Sequence, residues 1–253
     1  MTRPRGSKAR ALEAMTRLTK LYPRVQCALV HSNPYELLVA TILSARCTDE
    51  RVNMVTPELF TCYPTPDVLA VANPEELEKI IHSTGFFRAK AKNLIGMARA
   101  LEERFEGEVP CAREDLVTLS GVGRKTANVV RSVAFDLPGM PVDTHVGRLS
   151  RRLRLTTETD PVKVEQDLVG MIPSEEQGDF SLRLIEHGRA VCDARRPRCD
   201  LCDLAEMCPS VGSVGQMSSA RSRRARSKDR RAAMSERSTE KSSEATAVSG
   251  PAR

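Results

Sequence analysis

Apolar residues return at helical spacing along most of the chain up to about Pro209, and no convincing alternation of apolar and polar positions interrupts them. The stretch Lys8 to Tyr22 places Ala11, Leu12, Met15, Leu18 and Leu21 on one side. Asn33-Pro34 supplies an N-cap followed by proline at the first helical position, and the strongly apolar run Tyr35 to Ser44 predicts a buried helix behind it. Thr65-Pro66, Asn73-Pro74 and Asp160-Pro161 repeat that punctuation, so proline opens helices here more often than it interrupts them. Asp49 to Phe60, Ala89 to Phe105, Val162 to Ile172 and Phe180 to Ala190 have the same period. The pattern predicts an all-α protein of about ten short helices joined by tight turns.

One turn stands apart. Arg113 to Leu119 and Lys125 to Val133 are helical segments separated by Ser120-Gly121-Val122-Gly123-Arg124. Glycines at 121 and 123 permit positive φ and leave amides bare at a helix N-terminus, where free N–H groups and the positive dipole end favour a phosphate oxygen. Two phosphate loops fail on spacing. A Walker A loop needs Gly-Lys-[Ser/Thr], whereas Arg124 follows Gly123, and a dinucleotide fingerprint needs glycine where Thr126 stands. An ordinary tight turn in a helical bundle fits the stretch as well.

At 253 residues and 40% hydrophobic content the chain can hold one large or two small domains. No apolar run approaches membrane-spanning length, and no apolar signal region follows Met1-Thr2-Arg3-Pro4-Arg5. The expectation is a soluble intracellular protein with no membrane partner. A formal charge of +6 favours an anionic partner. Part of that charge comes from Arg221, Arg223, Arg224, Arg226, Lys228, Arg230 and Arg231, within a serine-rich stretch from 211 to 253 that is too poor in hydrophobics to fold. We expect this stretch to be a disordered basic tail attracting nucleic acid in a salt-sensitive, sequence-blind way.

Of eight cysteines, Cys27, Cys47, Cys62 and Cys111 are dispersed and read as reduced core thiols. The others form the run Cys192-x6-Cys199-x2-Cys202-x5-Cys208. Without a secretory signal, a metal centre explains this run better than disulfides do. Structural zinc usually pairs two short Cys-x-x-Cys knuckles across a spacer, and only one such pair is present, so the spacing favours a [4Fe–4S] cluster over zinc. Arg195, Arg196 and Arg198 lie inside the loop, where metal binding would fix them in space. Further upstream, Val142-Asp143-Thr144-His145 precedes a helical run. Asp143 suits an N-cap there, and His145 suits packing or hydrogen bonding.

The hairpin Leu119 to Thr126, the segment Val142 to His145 and the four-cysteine loop, in that order, resemble the endonuclease III family of helix-hairpin-helix DNA glycosylases over about Leu12 to Pro209. The resemblance implies two helical domains with a DNA cleft between them. A six-helix barrel with the hairpin would take 27–137, and a cluster domain would take 1–26 together with 138–210. It implies a bifunctional enzyme of base excision repair that excises oxidised pyrimidines and then cleaves the strand at the abasic site, expected as a cytoplasmic, nucleoid-associated monomer. Lys125 matches the family's catalytic lysine and Asp143 its aspartate. The lysine must be neutral to attack C1′, and the helix N-terminus and cations such as Arg124 would favour that form.

The same resemblance assigns Cys192, Cys199, Cys202 and Cys208 to the cluster. It assigns Gly121, Val122, Gly123, Arg124, Arg195, Arg196 and Arg198 to double-stranded DNA carrying damaged pyrimidines or abasic sites. Ser44, Asp49 and His145 become pocket residues. An extruded base leaves a gap to be filled. The family's wedge position falls on Phe86, where an aliphatic residue is familiar, and its gap-filling glutamine falls on Arg46. Arginine has no acceptor, so preference for the opposite base would be altered. Three other readings fit fewer of these features: a related adenine-specific mismatch glycosylase, a non-catalytic DNA-binding module, and an electron-transfer or redox-sensing protein.

Overall fold

The computed structural model describes residues 3–212; the expected tail from 213 onward lies outside them. Among the described residues there are eleven α-helices and no strand. They are α1 (Ser7–Leu21), α2 (Pro34–Leu43), α3 (Asp49–Cys62), α4 (Pro66–Ala70), α5 (Pro74–Ile81), α6 (Phe87–Phe105), α7 (Arg113–Leu116), α8 (Arg124–Ala134), α9 (Thr144–Arg152), α10 (Pro161–Val169) and α11 (Gln177–Ala190).

Four of these starts follow the proline punctuation, and three have the side-chain cap that goes with it. Asn33 accepts from the Glu36 amide, Asn73 from those of Glu75 and Glu76, and Asp160 from those of Val162 and Lys163. At α4, Thr65 makes no such bond, and proline at the first position acts alone.

The helices bury two separate hydrophobic cores. One gathers Leu29, Leu38, Leu43, Val52, Leu69, Ile81, Leu94, Leu101 and Val130 from α2 to α8, with α2 buried along nearly its whole length. The other gathers Ala11, Leu18, Met140, Val146, Leu168, Phe180 and Leu204, joining α1 to the chain beyond Pro138. Helix α8 packs against α2 in the first core and α11 in the second. Residues near its N-terminus therefore sit on the seam. A cleft of about 350 Å³ opens there, lined from both sides. No described helix is long and apolar enough to cross a membrane.

Candidate active site

The hairpin forms between α7 and α8, with α7 ending at Leu116 and its chain closing in turns to Leu119. Gly121 has φ +77°, and a Cβ there would lie 2.9 Å from Cβ of Asn93, so both conformation and space demand glycine. Gly123 differs from expectation: its φ is −93°, and nothing stands within 4 Å of a Cβ added there. The fold itself does not need glycine at 123. What its missing side chain leaves is a bare approach to the unpaired first-turn amides of α8.

Two members of the expected DNA-contacting set are otherwise engaged. Val122 is buried in the first core and its N–H donates to the Leu119 carbonyl, so it pins the turn from within. Arg124 turns away from the hairpin tip to make a two-pronged bond with buried Glu165 on α10, Nε to Oε2 at 2.7 Å and Nη2 to Oε1 at 2.9 Å. Its charge is spent on tying α8 to α10 rather than being free for a phosphate or the neighbouring lysine.

Lys125 and Asp143 both line the seam cleft, and both also border a shallower hollow lined by Thr144, Gly147, Arg151 and Val164. Asp143 is indeed the N-cap of α9, its Oδ1 accepting the Val146 amide at 2.8 Å. Only one oxygen is used in this way; Oδ2 has no hydrogen-bond partner among the described residues. Ser44 and Asp49 line the cleft as well. The Asp49 carboxylate is paired with Arg189 of α11 at 2.7 Å, and both residues line the cleft between the two cores.

His145 does not line the cleft, contrary to expectation. Its Nδ1 takes a contact from Arg148 at 3.1 Å, and the ring lies so close to Gly188 that a Cβ there would come within 2.7 Å of Nδ1. Packing on α11 holds it. Cys27 and Cys47, read from sequence as core thiols, both reach the cleft wall, while Cys62 and Cys111 are exposed. Burial pushes the Cys27 thiol up, which keeps it protonated and poorly nucleophilic.

Two further candidates sit on neighbouring loops. Arg46 follows α2 and Phe86 precedes α6, and both are in the left-handed region, with φ of 56° and 50°. The Arg46 guanidinium lies 5.5 Å from the Phe86 ring centroid. Beneath them, buried Lys90 donates from Nζ to the carbonyls of Leu43 at 2.7 Å and Thr84 at 2.8 Å.

Cys192, Cys199, Cys202 and Cys208 converge on one small apolar hollow with Val191, Pro197 and Val211. Among the described residues no three Cys, His, Asp or Glu side chains are grouped tightly enough for a single metal ion. Burial pushes the Cys202 thiol up to about 11 and the Cys208 thiol upward, with the neighbouring sulfurs adding to both, so a cationic centre would be needed to hold these two as thiolates. Arg152 donates to the Cys192 sulfur at 3.1 Å and to the Asp193 carbonyl at 2.7 Å, and Arg148 donates to the Cys192 carbonyl, bracing the loop. Arg195, Arg196 and Arg198 stand exposed on it, their side chains making no ion pair or hydrogen bond among the described residues.

The sequence model of the HhH-GPD superfamily of base excision DNA repair proteins matches residues 39–174. Endonuclease III of Synechocystis sp. is 56% identical over 195 residues, covering 77% of this chain and 89% of that protein. Endonuclease III of Escherichia coli (strain K12) is 41% identical over 193 residues, covering 76% and 92%. A solved non-covalent endonuclease III–DNA complex superposes with a TM-score of 0.76 at 43% identity, covering 80% of this chain and 95% of that one. A trapped endonuclease III–DNA covalent intermediate gives 0.76 at 44%. The chain belongs to the HhH-GPD superfamily and, within it, to the endonuclease III family of base excision DNA glycosylases.

Proposed function

We infer that the chain is a bifunctional DNA glycosylase and abasic-site lyase that removes oxidised pyrimidines from duplex DNA. The observation that carries this reading is that Lys125 on α8 and Asp143 at the cap of α9 line the same cleft although 18 positions apart. A neutral amine at Lys125 attacks C1′ of the extruded nucleotide, the glycosidic bond breaks, and the base leaves with the bonding pair and takes up a proton. Ring opening gives an imine between Nζ and C1′. Loss of a C2′ proton then expels the 3′ phosphate oxygen, and water frees the lysine. Asp143 stabilises positive charge at C1′ through its uncapped oxygen and moves protons to and from the amine. The covalent intermediate trapped in a relative supports the lysine route.

DNA is held by the bare amides at Gly121, Gly123 and the first turn of α8, and by Arg195, Arg196 and Arg198. Ser44 and Asp49 shape the pocket. Cys192, Cys199, Cys202 and Cys208 would hold a [4Fe–4S] cluster, which supplies a structural anchor for that arginine loop.

The test is borohydride trapping on a duplex containing thymine glycol, with strand cleavage and binding measured in parallel. The native chain forms a covalent adduct; Lys125→Ala forms none, cuts nothing and still binds. Base release by the native chain without strand cleavage or adduct would leave a monofunctional glycosylase instead.

A further inference from the structure

Helix α9 carries a glycine in its middle that its backbone does not require. Gly147 has no positive φ, and inside a helix glycine is less stable than alanine. A Cβ added there would meet one side chain within 4 Å, that of Arg151 one turn on, with Nη1 at 3.3 Å and Nη2 at 3.9 Å. Side chains on a helix lean toward its N-terminus, so the Arg151 guanidinium lies back over Gly147, away from the C-terminal end of the dipole where a basic residue is ordinarily at home. The missing side chain is its seat.

Arg151 borders the hollow beside Lys125, a space of about 490 Å³ that Asp143, Thr144 and Thr159 also line. The other two arginines of α9 are committed to structure, Arg148 donating to the Cys192 carbonyl and Arg152 to those of Asp193 and Ala194. Arg151 is exposed, and its side chain makes no ion pair or hydrogen bond among the described residues, although Asp143 borders the same hollow. The Thr144 and Thr159 hydroxyls are likewise without a hydrogen-bond partner among those residues. A free cation and two free hydroxyls thus share one open space with the reactive amine.

We propose that this hollow takes the phosphate on the 3′ side of the damaged nucleotide, and that Arg151, assisted by the Thr144 hydroxyl, stabilises that phosphate as it departs. The inference rests on the proposed function and adds a residue to its second step. Lys125 borders both the seam cleft and the hollow, so a sugar held through C1′ sends its base into the one and has the other for its backbone. Asp143 borders the hollow too, which puts the acceptor for the C2′ proton on that side, and C3′ is the next atom round the ring. The C2′ proton passes to Asp143, its bonding pair ends in a C2′–C3′ double bond conjugated with the imine, and the C3′–O3′ pair leaves on oxygen. The phosphate, a singly charged diester before the step, is a monoester gaining a second negative charge after it. A guanidinium donates two parallel N–H bonds to such a group, and the attraction grows with the charge, so it lowers the barrier and does not merely tighten binding.

The experiment uses the full chain in excess over a duplex with a preformed abasic site, and follows the borohydride-trapped adduct and unaided strand cleavage separately through one turnover. Arg151→Gln is expected to form the adduct at the native rate and to cleave about 10- to 100-fold more slowly, so that trappable adduct accumulates. Arg151→Lys recovers part of the loss, because the charge returns without the fork. Gly147→Ala pushes the guanidinium off its seat; it should melt higher than the native chain, as a better helix former, and yet cleave more slowly. Cleavage by Arg151→Gln at the native rate overturns the proposal. So does a loss shared equally by adduct and cleavage, which would make Arg151 a binding contact only. A native chain that forms no adduct would instead strike the function reading itself.

Discussion

Removing the guanidinium of Arg124 should cost the protein stability while leaving its electrostatic attraction to DNA unchanged. The Glu165 carboxylate is only 6% exposed and is held by both prongs of Arg124, which is itself 38% exposed; the other cation near it, Arg113, stands at 3.8 Å. Deleting one member of a fully buried pair costs about 3–5 kcal/mol. Screening of the half-exposed arginine and the residual help of Arg113 bring the expectation for Arg124→Leu down to about 1–3 kcal/mol. For a fold of this size that is a drop of about 2–12 °C in melting temperature.

The penalty belongs to the stranded carboxylate, so Arg124→Leu combined with Glu165→Leu should recover most of it. Thermal melts of the two singles and the double form the cycle, and fluorescence-anisotropy titrations across salt concentration accompany them. A phosphate contact at Arg124 would lower the slope of log K against log salt by about 0.9 when removed; a tie between α8 and α10 leaves the slope unchanged. A double variant no more stable than Arg124→Leu, or a slope that falls by a full contact, would refute this account.

Other outcomes follow from the same geometry. Asp143→Asn should keep the α9 cap, and hence stability, while abolishing strand cleavage; Asp143→Ala should lose cleavage and about 1 kcal/mol as well, measured by melts alongside cleavage assays. Gly121→Ala should destabilise by about 1–3 kcal/mol through its positive φ and the clash with Asn93, whereas Gly123→Ala should melt like the native chain and bind DNA more weakly. The purified protein should contain iron and acid-labile sulfide, and stripping them should lower the melting temperature and DNA affinity together; stoichiometric zinc without iron would contradict the cluster assignment.

The helix starts were legible because their causes are local. Asn33, Asn73 and Asp160 cap within three residues of themselves, so the signal sits in one short window. Helix α6 was misjudged by two residues for the converse reason: it begins behind a left-handed Phe86, which carries no capping side chain. That Lys125 and Asp143 line one cleft is expected from sequence only through the resemblance, since distance is not written in spacing. Least visible were partners far along the chain. Arg124 reads as a basic residue on a DNA-facing turn until Glu165, 41 positions on, claims it, and Lys90 looks like a surface lysine until two carbonyls close on it. Long-range polar pairing of this kind leaves no period behind it, and the bridged carbonyl at Leu43 is a main-chain group that no residue type announces.

Helix α1 has its partners at the opposite end of the chain. Tyr22 at its C-terminus meets His187, Arg17 donates to the Asp203 carbonyl, and Arg10 donates to those of Leu153 and Arg154. During synthesis this helix is made first and docks last, waiting for some 180 residues while the intervening core can already assemble. A nascent chain released early therefore has a hairpin but no facing wall. The core that carries Met140, Val142 and Val146 closes only after the chain has been made to about Asp203, so the second wall of the cleft forms after the first.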